Sequence, residues 1–486
     1  MLASLIRFSL SQRLFILLAT LLVAALGWMA FRGLPIDAFP DVSSTQVKVI
    51  MKAPGMTPEE VESRIAVPIE VEMLGIPHSK ILRSVTKYGL VDVTIDFEDG
   101  TDIYWARQQV NERLAGLGES LPPGITGGMA PVTTPLGEMF MFTVEGEGLS
   151  LTERRSLLDW VIRPALRTVS GVAEVNALGG AVRVFEVVPD PLKLAASGVT
   201  LGQLKETIQA NNRNDGAGRL GEGEEVLLVR SEGSVTTLED LRSIVVARKA
   251  GVPVPLGALA EVRIGTVTRY GAVTRSGQGE AVQGLVLGLR GANAQQVVEG
   301  VRQKIAELQP SLPPGVRIDT FYDRAALVTQ AVGTVSSALI EATLLVVVLL
   351  VLFLGDLRAA LTVALVLPLA ALITFILMRN FGMSANLMSL GGLAIAIGML
   401  VDAAVVVVEN IVQRLATDPS GGRLPRLHII YRAVREVVVP VTSGILIIVT
   451  VFLPLLTLQG LEGKLFTPVA LTIVFALLAS LLLSLT

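Results

Sequence analysis

Cysteine is absent, and histidine occurs only at His78 and His428. The first absence removes any disulfide framework and any thiolate metal site. The second removes a histidine cluster, so metal chemistry in this chain must rest on Met, Asp, Glu or backbone oxygen. Charge is scarce as well. Only 17% of residues are Asp, Glu, Lys or Arg, against about 25% in a typical soluble domain. The net charge is −3 and no Lys/Arg-rich run occurs, so nothing points to nucleic acid. No Gly-rich phosphate loop of the Walker type is present, which argues against ATP as the energy source. No cofactor is called for.

What the chain has is apolar length. Half of its residues (51%) are hydrophobic and the mean hydropathy is +0.62, the balance of a membrane protein. Arg13 and Arg32 bracket 18 uncharged residues, "LFILLATLLVAALGWMAF". About 20 apolar residues cross a bilayer, and this run is longer than the core of a signal peptide, so it reads as an uncleaved anchor. Residues 33–330 contain no such run and predict a water-soluble region. Apolar runs return at about 332–355, 359–378, 386–411, 437–459 and 465–486, giving an expectation of six transmembrane helices. With the N-terminus in the cytoplasm, the short inner pieces hold Arg7, Arg13, Arg358, Arg414, Arg423, Arg426, Arg432 and Arg435. The short outer pieces hold only Arg379 and Lys464. That bias places the 300-residue region outside the cytoplasm. Residues 425–436, "PRLHIIYRAVRE", read as a basic amphipathic connector on the inner surface.

The outer region repeats itself. Residues 45–53 alternate like a strand. "TPEEVESRIAVPIEVEML" follows as a helix, with Thr57 as N-cap and Glu60 completing a capping box. The strands "KILRSVTKY" and "LVDVTIDFE" and a helix over 101–117 complete a split βαβ pattern. The same order recurs as "EMFMFTVEG", a helix over 151–167, a strand over 172–178, "AVQGLVLGLRG", a helix over 293–308 and "VRIDTFYD". Between them, about 180–275 reads as an inserted subdomain with an exposed Gly-rich loop near "RNDGAGRLGEGEE". The fold expected is thus membrane α-helical plus an α+β outer region of two ferredoxin-like units, the second carrying the insertion. Two such units side by side could form a cleft, a common place for binding sites.

Into the apolar stretch "GMLVDAAVVVVENIVQRL" the chain puts Asp402 and Glu409. Seven residues turn a helix through about 700°, so the two acids share one face about 10.5 Å apart along the axis. A lone Asp near the bilayer centre costs roughly 2.5–3.5 kcal/mol on insertion scales. Nothing local offsets this. The partner must come from another span, or the group must be neutral part of the time, and both conditions suit a proton carrier. Asp402 is the deeper of the two. Glu409 falls at the inner boundary, where snorkelling or capping competes with a relay role. Glu341 reads as interfacial at the outer end of the second span. Pro368, Pro440, Pro454 and Pro468 lie within the apolar runs and permit kinks.

Layout and motifs together resemble the inner-membrane pump subunit of the resistance–nodulation–division superfamily, over essentially the whole chain. "AIAIGMLVDAAVVVVEN" is similar to that family's fourth-span motif. "DFEDGTDIYWARQQVNERL" and "LQGLEGKLFTPVALTIVFALLASLLLSL" resemble the heavy-metal efflux branch. The resemblance implies that residues 1–34 hold the first span and 35–132 the first porter subdomain. Residues 133–180 and 276–330 would be the two parts of the second porter subdomain, and 181–275 an inserted docking subdomain. Residues 331–486 would hold spans two to six, with the connector at about 420–436. It implies a homotrimer in the bacterial inner membrane with a large periplasmic domain, working with a periplasmic adaptor protein and an outer-membrane channel. It also implies that protons passing over Asp402 and Glu409 drive the export of a metal cation.

Family chains are about twice this length, so the resemblance implies half a pump: a fragment, a truncated product or one piece of a split pair. The family's lysine facing the acids, and most of its metal ligands, belong to the other half. Zinc, cobalt and cadmium members carry an Asp six positions before the deep one, where this chain has Ala396. Copper and silver members carry Met pairs in their spans, where this chain has Met388 and Met399 but also Leu400 and Val407. The metal stays open between these classes. In "GEMFMFTVEG", Met139 and Met141 are expected on one strand face, where thioethers suit soft cations, although Met is also an ordinary core filler. Asp99, Gly100 and Asp102 resemble a turn and helix start. Two other functions remain in view: export of drugs or amphiphiles, against which 5% aromatics counts mildly, and a non-pumping membrane scaffold or export accessory.

Overall fold

The computed structural model describes residues 2–37, 40–118, 120–134, 136–222, 225–249, 251–417 and 425–486. Arg423 and the first residues of the expected 420–436 connector lie outside the described residues. Six long helices carry the apolar runs. In chain order, first to sixth, they are Arg13–Gly33, Arg324–Leu354, Leu357–Asn380, Leu387–Ala416, Arg426–Phe452 and Gly460–Leu485. Among the described residues, five are long and apolar enough to cross a membrane: all but the second, with the fifth extended to Thr457.

Several boundaries differ from those the sequence predicts. A separate helix, Leu2–Ser11, precedes the first long helix. The second begins at Arg324, because the last outer strand runs straight into it and Asp323 caps it by accepting from the Ala326 N–H at 3.1 Å. The basic connector and the fifth apolar run form one continuous helix from Arg426. It ends in a 3-10 turn over Leu453–Thr457, where Pro454 supplies no N–H.

Small residues let these helices approach closely. A Cβ on Gly392 of the fourth would lie 2.8 Å from the Val469 carbonyl oxygen and 3.1 Å from its Cα on the sixth, so backbone packs on backbone there. Gly392→Ala must push the pair apart, because a main chain cannot swing aside. The expected cost is about 1–3 kcal/mol, read by denaturant unfolding in mixed micelles. Unchanged stability would show that the two helices separate freely.

The first outer unit holds β1 (Gln46–Lys52), β2 (Ser79–Lys87), β3 (Leu90–Phe97) and β4 (Thr126–Met129), in antiparallel order β2-β3-β1-β4. Val47, Val49 and Met51 alternate inward from β1 onto Ile65, Ile69, Ala106 and Val110 of the two helices on that face. The second unit starts with β5 (Glu138–Gly146) and β6 (Val172–Gly179). The insertion follows: β7 (Arg183–Pro189), β8 (Asp215–Glu222), β9 (Glu225–Ser231), β10 (Val245–Lys249), β11 (Val252–Pro255) and β12 (Ala260–Thr266). β7 pairs with β12 from Arg183↔Thr266 to Ala260↔Pro189, forming a neck. The predicted Gly-rich loop is instead a two-stranded ribbon of β8 and β9, with Leu220 and Leu228 exposed. The chain then returns through β13 (Val273–Thr274), β14 (Glu280–Gly288) and β15 (Val316–Asp323).

In the second sheet β6, β14, β5 and β15 lie side by side, and β13 adds a short pairing to β14. By position within each unit, both sheets run second, third, first, fourth. The likeness extends to a local irregularity. The first helix of each unit contains one π turn, Glu62–Ala66 or Leu158–Ile162, and each is followed by a proline, Pro68 or Pro164. A proline inside a helix donates nothing to the carbonyl four residues back, and a widened turn absorbs the mismatch.

Candidate functional site

The fourth long helix presents the two acids. Its start is fixed by Asn386, whose side chain accepts from the Met388 and Ser389 N–H groups at 3.0 Å each. Ser389 Oγ returns a bond from the Asn386 N–H at 2.9 Å. Leu393, Ala396, Leu400, Ala403, Ala404 and Val407 pack against the neighbouring long helices and are buried. Asp402 and Glu409 lie on the opposite face with Ile395, Gly398 and Val406, and that face is open. Among the described residues neither acid has a hydrogen bond or an ion pair.

Either side of the acids the helix is anchored. Ser480 of the sixth long helix, itself buried, donates to the Leu400 carbonyl at 3.0 Å. Further along the helix, Asn410 donates to the Ala433 carbonyl at 2.7 Å. Arg414 grips Glu436 of the fifth long helix through two nitrogens, at 2.6 and 3.1 Å. The acids thus ride on a braced helix while their own face is unfilled. Ala396 is fully buried, on the packed side rather than the acids' face.

The ends of the fourth and sixth long helices meet the turn after β3 and the stretch after the first long helix around a cavity of about 710 Å³. Asp41, Asp99, Met383, Gln459 and Lys464 are among its walls. The sequence reading missed the contacts here. Lys464, the fifth residue of the sixth long helix, reaches Asp99 at 2.7 Å and the Ser43 carbonyl at 3.0 Å. Arg290 of the second unit donates to the same carbonyl at 3.3 Å and pairs with Asp41 at 3.1 Å. Arg324 pairs with Asp37 at 2.8 Å and also reaches the Leu136 carbonyl. Main-chain bonds tie this stretch to the loop between the third and fourth long helices, from the Asp37 N–H to the Ala385 carbonyl at 3.2 Å and from the Ala385 N–H to the Pro35 carbonyl at 2.9 Å.

The hydrogen bond from Lys464 holds the Asp99 carboxyl below the ordinary aspartate value of 3.8, against the opposing effect of partial burial. Its contribution is therefore complete above that value and fades only as the pH falls through the lowered one. One signal could have found the pair: Lys464 is one of only two basic residues in the short outer pieces.

A second cavity, of about 460 Å³, lies between the two sheets with Lys48, Arg107, Glu174 and Arg290 in its walls. Burial lowers the Arg107 guanidinium, which donates to the Ala130 carbonyl at 2.6 Å. The methionines are scattered. Met139 sits at a bulge in β5, where Val286 pairs with Phe140 and Leu287 with Glu138, and it is buried in one core with Phe140 and Phe142. Met141 is half-buried outside that core, so the expected common face is broken by the bulge. Met388 is half-buried in the first turn of the fourth long helix, and Met399 is half-buried against the long-helix core. Among the described residues no group of three or more His, Asp or Glu could hold a metal ion.

The chain matches the AcrB/AcrD/AcrF family over residues 5–486. It is 43% identical to the cobalt-zinc-cadmium resistance protein CzcA of Cupriavidus metallidurans, over 99% of this chain and 46% of that protein. It is 44% identical to protein HelA of Legionella pneumophila, over 100% of this chain and 47% of the relative. Identity to the cation efflux system protein CusA of Escherichia coli is 38%, over 99% of this chain and 47% of the relative. The crystal structure of a heavy metal efflux pump superposes with a TM-score of 0.90 at 36% identity, covering 99% of this chain and 47% of that one. The chain thus spans about half the length of the relatives it matches, and throughout that span it belongs to the AcrB/AcrD/AcrF family.

Proposed function

We propose that this chain is the N-terminal half of a proton-driven pump that exports heavy-metal cations. The observation that carries the reading is the open acidic face of the fourth long helix: two carboxylates, unpaired among the described residues, on a helix otherwise braced by its neighbours. In lipid such groups require either a partner or intermittent neutrality, and a proton relay through Asp402 and Glu409 supplies the second. The other half of the pump would cover that face. The names of the relatives support a metal cation as cargo. In this reading all six long helices span the bacterial inner membrane. The two sheets with matching strand order are ferredoxin-like porter subdomains in the periplasm, and the necked insertion is a docking subdomain. The working assembly is a trimer with a periplasmic adaptor and an outer-membrane channel. Of the expected soft ligands, Met141, Met388 and Met399 are half-buried and could each offer a thioether, whereas Met139 is enclosed in the core of the second unit.

The test is flux in liposomes carrying the intact pump. An imposed pH gradient should drive metal-ion movement, and a protonophore should cut it at least about tenfold. Movement of dyes or amphiphiles in place of metal ions would favour a drug exporter. Movement of neither, with no proton flux, would leave a scaffold.

A further inference from the structure

We propose that Lys464 and Asp99 form the strut through which displacement of the sixth long helix reaches the first outer unit; this rests on the pumping role above. The fourth and sixth long helices move as one body, because Gly392 packs on the Val469 main chain and Ser480 holds the Leu400 carbonyl two residues from Asp402. A change in the charge of Asp402 therefore acts on the sixth helix as well. The turn into that helix is tight: a Cβ on Gly463 would collide with the carbonyl of Leu458, just before the helix starts. Lys464 is the fifth residue of that helix, and its side chain is largely withdrawn from solvent, so its ammonium needs a carboxylate partner.

Asp99 answers it at 2.7 Å, with the Ser43 carbonyl at 3.0 Å. Asp99 stands in the turn that starts the helix Ile103–Gly116, where Asp102 accepts from the Trp105 N–H at 2.8 Å. That turn is sewn to the strand edge by Thr45, which donates from Oγ1 to the Thr101 carbonyl at 3.2 Å and accepts from the Phe97 N–H at 2.8 Å. Around this bond is the 710 Å³ cavity rather than apolar packing, so the polar link bears the connection across that gap. Ser43 accepts from Lys464 and Arg290 together, which brings the second unit to the same point. Lys464 is thus a positioning residue; it need not touch proton or cargo.

The test uses the intact pump in liposomes, with metal flux and proton flux measured separately. Lys464→Met should lower metal flux at least tenfold while proton flux stays within twofold of wild type, since the helices still respond to protons but no longer drag the outer unit. Asp99→Lys should do the same, and the exchange Asp99→Lys with Lys464→Asp should restore at least a third of the metal flux. Metal flux within twofold of wild type in Lys464→Met would overturn the proposal. So would equal loss of both fluxes, which would mark a purely structural bond. Loss of proton flux in Asp402→Asn tests the pumping role itself, so a failed strut and a failed relay give different results.

Discussion

Asp402→Asn should abolish metal flux driven by a pH gradient, by about 100-fold or more, the scale on which removing a group that exchanges protons is felt. In this chain taken alone, the same change should leave the protein as stable as before or more so. Asn keeps the size and shape of Asp but cannot ionise, and an ionised Asp in the bilayer costs roughly 2.5–3.5 kcal/mol on insertion scales. Among the described residues no cation or donor offsets that cost. Loss of transport with gain in stability is the opposite of what a structural acid would show, because removing one member of a structural pair leaves the other unsatisfied. Metal flux in liposomes and denaturant unfolding in mixed micelles read the two sides. Glu409→Gln should do less, about tenfold, since the residue sits about 10.5 Å further along the axis, toward the aqueous boundary. Asp402→Asn with normal flux would remove the relay.

The acidic face was legible because helix periodicity is rigid. Seven residues return to nearly the same face whatever the tertiary setting, and Asp402 and Glu409 do share the exposed side. Capping was legible for the same local reason: Thr57 and Glu60 form the box that their spacing predicts. Strand β4 was not, because "TGGM" has neither alternation nor a β-branched pair. It is a strand only because β1 offers it an edge, from Val49↔Met129 to Lys52↔Thr126. The bulge at Met139 was hidden too, since it is a property of pairing with β14 and leaves no mark in β5 alone. The ion pairs at the outer junction join residues hundreds of positions apart. "FEDGTD" looks like a turn and helix start and "EGK" like a loop before an apolar run, and only the fold brings Asp99 to Lys464.

Arg324 is the residue at that junction whose loss should cost most in stability. Its side chain is only 7% exposed and Asp37 is 27% exposed. Its guanidinium meets Asp37 through Nε at 3.1 Å and Nη2 at 2.8 Å, while Nη1 donates to the Leu136 carbonyl. One side chain thereby holds four parts: the start of the second long helix, the stretch after the first, the segment leading into β5 and, through the Asp37 N–H, the loop at Ala385. Breaking a buried pair from one side costs about 3–5 kcal/mol, because the remaining charge loses its partner without regaining water. Arg324→Met keeps most of the volume and should cost about 3 kcal/mol, the lower end, as Asp37 retains partial exposure. Arg324→Lys keeps the charge but not the fork, and should recover part of that loss. Asp37→Asn should cost a comparable amount. The double variant Arg324→Met with Asp37→Asn should cost clearly less than the sum of the two, since each single change already forfeits the shared interaction. Denaturant unfolding in mixed micelles reads all four, and simple additivity would show that the two side chains stabilise the junction separately.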